Sequence, residues 1–289
     1  MTELAAAVLT LRPALPGTIQ PWTGPIWRTW FLAQVADHDP ALAESLQSGE
    51  HERRPYTVSS LMHSGRPGGR TLDVHPSQSY SIRITTLSSA LTHVLLNDLL
   101  PSLPDTVIES EGMTWRIEQA TAQDHPWANT ATDAGLVQMH TLTTDALPRA
   151  VTLRFASPTT FRGPQGLLTP FPLPAMVFGS LLDHWNLFND VQLHPDTRRF
   201  ADACIEARRI RLRSNTVALA LGEHTALIAG FRGTCRYALL RADRYWIGIV
   251  QTLAAYAFYA GVGLHTTMGM GQTQMLRAPV PVSQTPGPD

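Results

Sequence analysis

The chain has 289 residues, of which 44% are hydrophobic and 16% are charged. This composition supplies enough apolar surface for folded cores and excludes an intrinsically disordered protein, while the length fits one large or two ordinary domains. The two cysteines, Cys204 and Cys235, exclude a disulfide framework and a cysteine-type zinc site. Because the first residues lack a signal-peptide pattern, we expect a reduced, cytoplasmic globular protein.

The charges are distributed unevenly along the chain. A net charge of −1 argues against a generally basic nucleic-acid binder, and all 22 basic residues are arginines. Residues 1–150 carry 9 arginines against 15 acids, whereas residues 151–289 carry 13 arginines against 8 acids. Since the guanidinium group is a permanently charged planar fork that suits phosphate, the second part of the chain is predicted to bind a polyanion. The alternative is a salt-bridged surface, or attraction between the two halves.

The first half of the chain is predicted to form elements in the order β-α-β-β-α-β. In chain order they are a strand over 7–12, a helix over 26–35, a short helix over 40–47, strands over 56–62 and 79–85, a helix over 87–100 and a strand over 113–120. Pro25 suits the first turn of the first helix, and Gly49 is placed to end the second. Apolar residues at helical spacing predict the long helix: Leu87, Leu91, Val94 and Leu95.

The same order is predicted again in the second half. Its elements are a strand over 150–155, a helix over 174–188, strands over 206–214 and 226–239, a helix over 245–260 and a strand over 268–275. Two such units predict an α+β protein with tandem ferredoxin-like (RRM-like) domains, each with a four-stranded antiparallel sheet. We place the boundary at 140–149, giving domains of 1–145 and 146–289. The apolar stretch 246–264 favours a buried helix over a membrane span.

The sharpest motif lies near the carboxyl end and reads Gly261-Val-Gly263-Leu-His-Thr-Thr-Met-Gly269-Met-Gly271. Glycine tolerates positive φ and lets main-chain N–H groups approach an anion without hindrance from a Cβ atom. The motif is not a P-loop, which requires lysine, and Thr266 stands where a dinucleotide fingerprint requires its third glycine. We therefore predict an anion-binding loop, and a flexible turn between a helix and a strand is the alternative.

A second pattern consists of three arginines on one predicted strand. Arg209, Arg211 and Arg213 alternate with Ile210 and Leu212. Because successive side chains on a strand point to opposite faces, the three arginines are predicted to share one face that suits a nucleic-acid backbone. A solvated edge strand is the alternative.

The neighbouring segment Gly230–Tyr237 combines glycine, arginine and aromatic residues. Arg232 and Arg236 add to the positive charge beside the arginine strand. Phe231 and Tyr237 are suited either to stacking on bases or to packing in the core.

Together these segments resemble the CRISPR-associated precursor-crRNA endoribonucleases, the Cas-six family of the RAMP superfamily. The resemblance rests on the glycine loop, on Gly-Phe-x-Gly at 230–233, on the run 40–46 that leads to Pro-Tyr-Thr-Val-Ser at 55–59, and on the spans 150–162 and 172–185. These segments cover most of the chain. Members of the family fold as tandem ferredoxin-like domains, which agrees with the order of elements predicted above.

The resemblance implies metal-independent cleavage of CRISPR repeat RNA within precursor crRNA. In the family, the 2′-hydroxyl attacks the adjacent phosphate, and the products are mature crRNA guides with 2′,3′-cyclic phosphate and 5′-hydroxyl ends. Neither a cofactor nor a metal is expected. The implied partner is repeat RNA rather than DNA or a membrane, and association with other Cas proteins of an interference complex or as a homodimer is left open.

This reaction needs a proton acceptor, a proton donor and cations for the charge that develops on the phosphorane. The family commonly has a histidine directly after the Pro-x-Leu-Ala-x-x-Leu helix, where this sequence has Gln47. His51, in the same connecting loop, is the first choice for the catalytic base or acid, and His38 is the second.

The resemblance also suggests supporting residues near that loop. Arg53 and Arg54 are expected to stabilise the phosphorane without acting as bases. Tyr56 is a weak substitute for the tyrosine that assists in the first helix of many members. The residues expected to bind RNA are Arg209, Arg211, Arg213, Arg232, Arg236, Gly261, Gly263, His265, Thr266, Thr267, Gly269 and Gly271. Histidines elsewhere in the chain have no metal-ligand spacing and are expected to be structural.

Two other functions remain open at this point. A non-catalytic RNA-binding RAMP subunit of a CRISPR interference complex would share the fold, the glycine loop and the arginine face. A small-molecule or nucleotide-binding enzyme on the same fold would not show RNA affinity that falls steeply with salt.

Overall fold

The computed structural model describes residues 1–48, 53–62, 71–142, 147–221 and 224–276. We call the part up to 142 the first half and the part from 147 the second half. The described elements of the first half are, in chain order, β1 (Glu3–Pro13), β2 (Gly17–Ile19), α1 (Gly24–His38), α2 (Pro40–Ser48), β3 (Tyr56–Val58), β4 (Leu72–Val74), β5 (Tyr80–Thr86), α3 (Ser89–His93), a π-helical segment (Val94–Leu99), α4 (Leu100–Ser102), β6 (Val107–Ser110), β7 (Met113–Thr121), β8 (Asn129–Thr132) and α5 (Asp133–Thr141).

The second half follows the same plan. Its described elements are β9 (Ala150–Thr159), β10 (Phe161–Arg162), a 3₁₀ turn (Pro164–Gly166), β11 (Leu168–Thr169), α6 (Pro174–Phe188), α7 (Thr197–Cys204), β12 (Ile205–Leu221), β13 (His224–Leu239), α8 (Arg244–Ala260), a 3₁₀ turn (Thr266–Met268) and β14 (Thr273–Leu276).

Each half contains one main antiparallel sheet with the strand order of a ferredoxin-like fold. The first sheet runs β3-β5-β1-β7 and the second runs β12-β13-β9-β14, so in both the first and third strands of the unit are central. The predicted α+β class with tandem ferredoxin-like units is confirmed. The first sheet is larger than predicted, because β6 pairs with β7 and β8 pairs with the amino-terminal end of β1. The predicted boundary between residues 145 and 146 falls outside the described residues and stays a prediction.

The core of the first half is built on aromatic side chains. Pro25 occupies the first turn of α1, and the buried residues Trp27, Phe31 and Val35 recur every fourth position on the helix, which places them on one face. The Trp27 ring meets Trp115 of β7 edge-on, with ring centroids 6.1 Å apart. The face of α1 that packs on the sheet is therefore fixed, and the opposite side of the helix is left for the site described below.

The helix predicted over 87–100 contains a wide turn that the sequence analysis did not foresee. It runs from Ser89 to Ser102, but Val94–Leu99 is π-helical, and the N–H of Leu100 donates to Leu95 five residues earlier. Pro101 follows directly. Since proline has no N–H and its ring clashes with the carbonyl four residues before it, a wide turn ahead of Pro101 accommodates the ring.

Helix α8 forms the centre of the second core. Its amino end is capped by Asp243, whose Oδ1 accepts from the N–H of Tyr245 at 2.9 Å, and it ends at Gly261, which has a φ of 65°. Residues such as Leu253 and Tyr256 are fully buried, so this apolar stretch is a core helix as predicted. Across the described ranges, no helix combines the length and the hydropathy required to cross a membrane.

The two halves are joined through buried polar contacts. Thr85 on β5 donates to the main-chain oxygen of Tyr259 at 2.6 Å, and the amide of Gln272 donates to the hydroxyl of Thr57 at 3.2 Å. These bonds require one relative placement of the sheets, because each buried polar group would lose its partner if the sheets shifted.

The β12–β13 hairpin extends beyond the second sheet toward the first half. Val217, Leu219 and Ile228 form a small apolar cluster with Met270 of the glycine loop, and Trp22 packs against it. The indole N–H of Trp22 donates to the main-chain oxygen of Met268 at 2.9 Å. The glycine loop is therefore enclosed between the hairpin and the start of α1.

Candidate nucleic-acid interface

A cleft of about 390 Å³ opens where the two halves meet, beside the glycine loop. Its walls come from α1 and the segment before β3 in the first half, and from β10, α6, α7 and the glycine loop in the second half. We call it the arginine cleft after the five arginines that line it: Arg28, Arg53, Arg54, Arg162 and Arg198.

The charge of the arginine cleft is strongly one-sided. Among the described residues that line it, Asp183 is the only carboxylate. Five guanidinium groups around one cavity repel each other, and the repulsion is relieved when an anion binds. Because guanidinium forks match the geometry of phosphate oxygens, the cleft is suited to a polyphosphate such as an RNA backbone.

Asp183 links two of these arginines. Its Oδ2 accepts from Arg53 Nη2 at 2.8 Å, and both of its oxygens accept from Arg198 Nη2 at 2.8 Å. The three side chains belong to three segments: the approach to β3, α6 and α7. This bridge joins the first half of the molecule to the second at the wall of the cleft.

Tyr56, proposed from sequence as a weak catalytic candidate, is fully buried. Its ring lies against Phe31, with centroids 5.6 Å apart, and its hydroxyl accepts from Arg28 Nε at 3.1 Å. Tyr56 does not itself line the cleft. It contacts Arg28, which does.

The histidines proposed as the proton-transfer groups are not brought into the described part of the cleft. His51 lies outside the described residues. His38 is exposed at the end of α1, ten residues and therefore about 15 Å along the helix from Arg28. Arg54, three positions after His51, lines the cleft, and its Nη2 donates to the main-chain oxygen of Gln47 at 3.2 Å.

The glycine loop uses most of its main-chain N–H groups within the protein. The N–H groups of Val262 and Leu264 donate to main-chain oxygens of Gly271 and Thr160 at 2.9 and 3.0 Å, and that of Gly263 donates to Ser180 Oγ at 3.1 Å. The expectation that bare amides of this loop bind an anion is therefore not met at these positions, because other groups of the protein already accept their hydrogen bonds.

The glycines of the loop are required by conformation and by close packing. Gly263 has a φ of 85°, and a Cβ atom there would lie 2.3 Å from the main-chain oxygen of Thr160. Gly269 has a φ of 97°, and its Cβ would lie 2.7 Å from the amide of Ser60 in the first half. Glycine here allows two backbones to approach each other, a packing role that the sequence analysis did not predict.

All five residues between the glycine pairs line the arginine cleft, and three of them are polar: His265, Thr266 and Thr267. His265 adopts the left-handed conformation with a φ of 56°, which is uncommon for a residue with a side chain. The loop thus contributes side chains to the cleft, while its glycines fix the path of the chain behind them.

His184 was treated as structural in the sequence analysis and also lines the cleft. Its ring is buried, and Nδ1 lies 3.0 Å from the main-chain oxygen of Ser180. Since a carbonyl only accepts, Nδ1 carries the proton and donates. Burial lowers the pKa of His184 to about 4, so the ring is neutral at pH 7.

A second arginine-rich surface lies on the second sheet. We call it the arginine face, and the strand register brings its members together in rows across β12, β13 and β9: Arg208 with Arg236, Arg211 with Thr234 and Arg154, and Arg213 with Arg232. A groove of about 1110 Å³ covers the part of this face formed by Arg208, Arg211 and Arg236, and it also touches Arg149 and Arg209. It shares no lining residue with the arginine cleft.

The predicted alternation of the arginine strand is wrong at one position. The β12–β13 register shifts between Arg208 and Arg211, and Arg209 has a φ of 48° within this irregularity. Because a β-bulge adds one residue to a strand, Arg208 shares a face with Arg211 and Arg213, whereas Arg209 and Ile210 form the bulge. The sequence pattern placed Arg209 in that row instead.

Phe231 and Tyr237 are both buried in the second core. The Phe231 ring meets Phe155 with centroids 4.9 Å apart, and the Tyr237 hydroxyl donates to Pro172 at 3.1 Å. The base-stacking role that the sequence left open for these rings is therefore replaced by core packing. Arg232 and Arg236, between them in sequence, point away from that core and belong to the arginine face.

Comparison with known protein families gives a match over part of the chain. Residues 153–273 match the family model described as CRISPR-associated endoribonuclease Cas6. The match covers most of the second sheet, the arginine strand and the glycine loop. A comparison with curated protein sequences gave no match.

Solved structures resemble the whole chain. The product complex of the Cas6 protein TTHB231 is 26% identical, covers 94% of this chain and 100% of its own length, and superposes with a TM-score of 0.75. The same protein is described elsewhere as Thermus thermophilus Cas6. A substrate-mimic complex of the Cas6 protein TTHA0078 is also 26% identical, covers 96% of this chain and 100% of its own, and has a TM-score of 0.70.

More distant structures share the fold alone. A Cas6-related protein of Pyrococcus furiosus is 11% identical, covers 94% of this chain and 98% of its own, and has a TM-score of 0.62. The match to the family model and the similarity to the Cas6 protein TTHB231 confirm the resemblance to the CRISPR-associated endoribonucleases that was predicted from sequence.

Proposed function

We propose that this chain is a Cas6-type endoribonuclease that cleaves the repeats of precursor CRISPR RNA without a metal ion, because residues 153–273 match the Cas6 family model and Cas6 structures resemble nearly its whole length. Similar proteins that cover 94% and 96% of this chain have been solved as a product complex and as a substrate-mimic complex. We propose CRISPR repeat RNA as its own substrate and mature crRNA guides as its products.

The proposed reaction is an internal transesterification. The 2′-oxygen of the ribose at the cut forms a bond to the adjacent phosphorus, and the bond from phosphorus to the 5′-oxygen of the next nucleotide breaks. The 2′-hydroxyl gives its proton to a base, and an acid supplies a proton to the departing 5′-oxygen. The ends are a 2′,3′-cyclic phosphate and a 5′-hydroxyl, and no co-reactant is needed.

The observation that carries this proposal is the arginine cleft. Guanidinium groups from both halves of the protein converge on one cavity that contains a single described carboxylate. Such groups stabilise the charge that develops on the phosphate oxygens as the phosphorane forms. Arg53 and Arg54 are the two of these residues nearest in sequence to His51, and we assign them to this stabilisation.

We assign the proton-transfer role to His51 first and to His38 second. Replacing His51 with alanine is expected to abolish cleavage and to leave the affinity for repeat RNA nearly unchanged, because the positive charges stay in place. Undiminished cleavage by His51→Ala would move the assignment to His38, and His265 at the cleft is the next residue to replace in the same assay.

The chemistry is tested with purified protein and the repeat RNA of the CRISPR array in its own genome, in buffer containing EDTA. We expect cleavage, and we expect one 2′-deoxy substitution at the cut to block it. Cleavage that requires added Mg²⁺, or that tolerates the deoxy substitution, would overturn the proposed chemistry. Binding without cleavage under every condition would identify the chain as a non-catalytic RNA-binding RAMP subunit.

A further inference from the structure

Asp183 is the carboxylate among the described residues that line the arginine cleft. Its two hydrogen-bond partners come from different halves of the molecule. Arg198, on α7, shares its half of the molecule. Arg53 belongs to the other half and is the first described residue after the segment 49–52, which contains His51. The 2.8 Å bond between Arg53 Nη2 and Asp183 Oδ2 therefore links Arg53, on the approach to β3, to α6.

A glycine in α6 leaves the space that the guanidinium of Arg198 occupies. Gly179 lies one helical turn before Asp183, and a Cβ atom at position 179 would lie 2.4 Å from Arg198 Nη1. Arg198 Nη2 also donates to the main-chain oxygen of Gly179 at 3.3 Å. Glycine destabilises the interior of a helix relative to alanine, so its presence in α6 is explained by the guanidinium that lies on it.

The three side chains form a bridge whose geometry depends on the acid. Arg53 and Arg198 carry like charges and approach the same carboxylate within hydrogen-bond distance. Without the negative charge of Asp183 the two guanidinium groups would repel each other, and Arg53 would turn toward solvent. These side chains are 34 to 51% exposed, so the bridge adds little to global stability and its main effect is on where Arg53 lies.

We propose that Asp183 is a positioning residue for RNA cleavage: it holds the guanidinium of Arg53 at the wall of the arginine cleft, where this cation meets the phosphate bound in the cleft. This inference rests on the proposed function for its effect on cleavage. Its structural part, the restraint of Arg53 by Asp183, is independent of that function.

The test replaces Asp183 with asparagine and measures two quantities. In single-turnover cleavage of repeat RNA, Asp183→Asn is expected to lower the maximal rate by about 10 to 100-fold, since a displacement of about 1 Å costs up to this factor. The Kd for RNA is expected not to rise, because no cation is lost and the removed carboxylate repels phosphate. Asp183→Glu, which keeps the carboxylate, is expected to recover most of the rate.

The second quantity is the rate of limited trypsin cleavage after Arg53, which does not depend on activity. Trypsin cuts after arginine but not before proline, so the Arg54–Pro55 bond is resistant and the fragment reports on Arg53 alone. Asp183→Asn is expected to be cut several-fold faster there than the wild type, because proteolysis follows local opening. Gly179→Ala, which displaces Arg198, is expected to change both quantities in the same direction.

Asp105→Asn is the matched control, since it breaks the exposed Asp105–Arg116 pair beside β6, which lies at the edge of the first sheet opposite to β3. It is expected to change neither quantity. The proposal is overturned if Asp183→Asn is cut by trypsin at the wild-type rate, or if it cleaves RNA at the wild-type rate. If the wild type does not cleave RNA but Asp183→Asn is cut faster by trypsin, the proposed function fails and the restraint of Arg53 stands.

Discussion

The guanidinium of Arg83 lies 4.4 Å from the centroid of the Phe258 ring, which places a cation of the first sheet against the last helix of the second half. Its Nε donates to the main-chain oxygen of Trp127 at 2.8 Å, and its Nη1 donates to Gln272 Oε1 at 2.6 Å. These acceptors are neutral, and burial lowers the pKa of Arg83 to about 9. Burial removes the Arg83 guanidinium from water, which is unfavourable for a charge. Oxygen acceptors and aromatic ring faces from both halves stabilise the charge instead.

Replacing Arg83 with alanine is expected to destabilise the protein. The change leaves a cavity between the sheets and removes the donors from buried acceptors, and each of these effects costs on the order of 1–3 kcal/mol. We expect a loss of about 3 kcal/mol in the free energy of unfolding by urea. Arg116→Ala, which removes an exposed arginine of the same sheet, is expected to stay within about 0.5 kcal/mol of the wild type; equal stability of the two variants would contradict this role of Arg83.

The buried ring of His184 predicts a loss of stability in mild acid. Its pKa in the folded protein is about 4 because burial disfavours the charged form, whereas an unfolded histidine titrates near pH 6.5. Between these values the unfolded chain binds a proton that the folded protein does not bind. Stability from this residue is therefore fully present above pH 6.5 and is lost as the pH falls toward 4, by roughly 3 kcal/mol in total.

The measurement is the free energy of unfolding at pH 7 and at pH 4.5 for the wild type and for His184→Gln. The variant is expected to be less stable at pH 7 but to lose less of its stability on acidification. His38→Gln, which replaces an exposed histidine, should keep the pH dependence of the wild type. An unchanged pH dependence in His184→Gln would mean that the ring is not neutral in the folded protein.

Two glycines with positive φ separate the effect of conformation from the effect of packing. Gly263 has a φ of 85° and would bring a Cβ atom to 2.3 Å from the oxygen of Thr160, whereas Gly112 has a φ of 71° and open space around it. Gly112→Ala is expected to cost about 1 kcal/mol from backbone strain alone. Gly263→Ala adds a clash between two backbones and is expected to cost roughly 3 kcal/mol in thermal or urea unfolding; equal costs would show that the loop moves aside freely.

The repeated order of elements was readable from the sequence because it depends on local patterns. Apolar spacing and the position of Pro25 are properties of short segments, and patterns of this kind predicted both ferredoxin-like units. The bulge at Arg209 has no such pattern. A strand that gains one residue reverses its alternation from that point, so a strictly alternating set of arginines predicted the wrong row.

The arginine cleft was only partly readable for a different reason. Arg53 and Arg54 were identified because they follow the loop of His51, but Arg28, Arg162 and Asp183 come from segments far apart in sequence. Their convergence follows from how the two sheets meet, which no local pattern specifies. The glycine in the middle of α6 was a usable signal, since a glycine at a helical position indicates close packing against another group.

The arginine face offers a prediction that does not depend on the identity of the catalytic residue. Arg211 lies in a row with Thr234 and Arg154 across three strands, and this row shares no residue with the arginine cleft. If the face binds the RNA backbone, each arginine that contacts a phosphate displaces a condensed counterion. Arg211→Ala should then weaken binding of repeat RNA and reduce the slope of log K against log salt concentration by about 1.

The maximal cleavage rate at saturating RNA should stay close to that of the wild type in Arg211→Ala, because the substituted group lies outside the cleft. Arg116→Ala removes the same charge from an exposed position on the first sheet, so it controls for a general change in the field of the protein. Affinity is measured by fluorescence anisotropy at several salt concentrations. If Arg211→Ala and Arg116→Ala give the same salt dependence as the wild type, the arginine face does not contact phosphate, and the charge of the second half acts on RNA through the cleft alone.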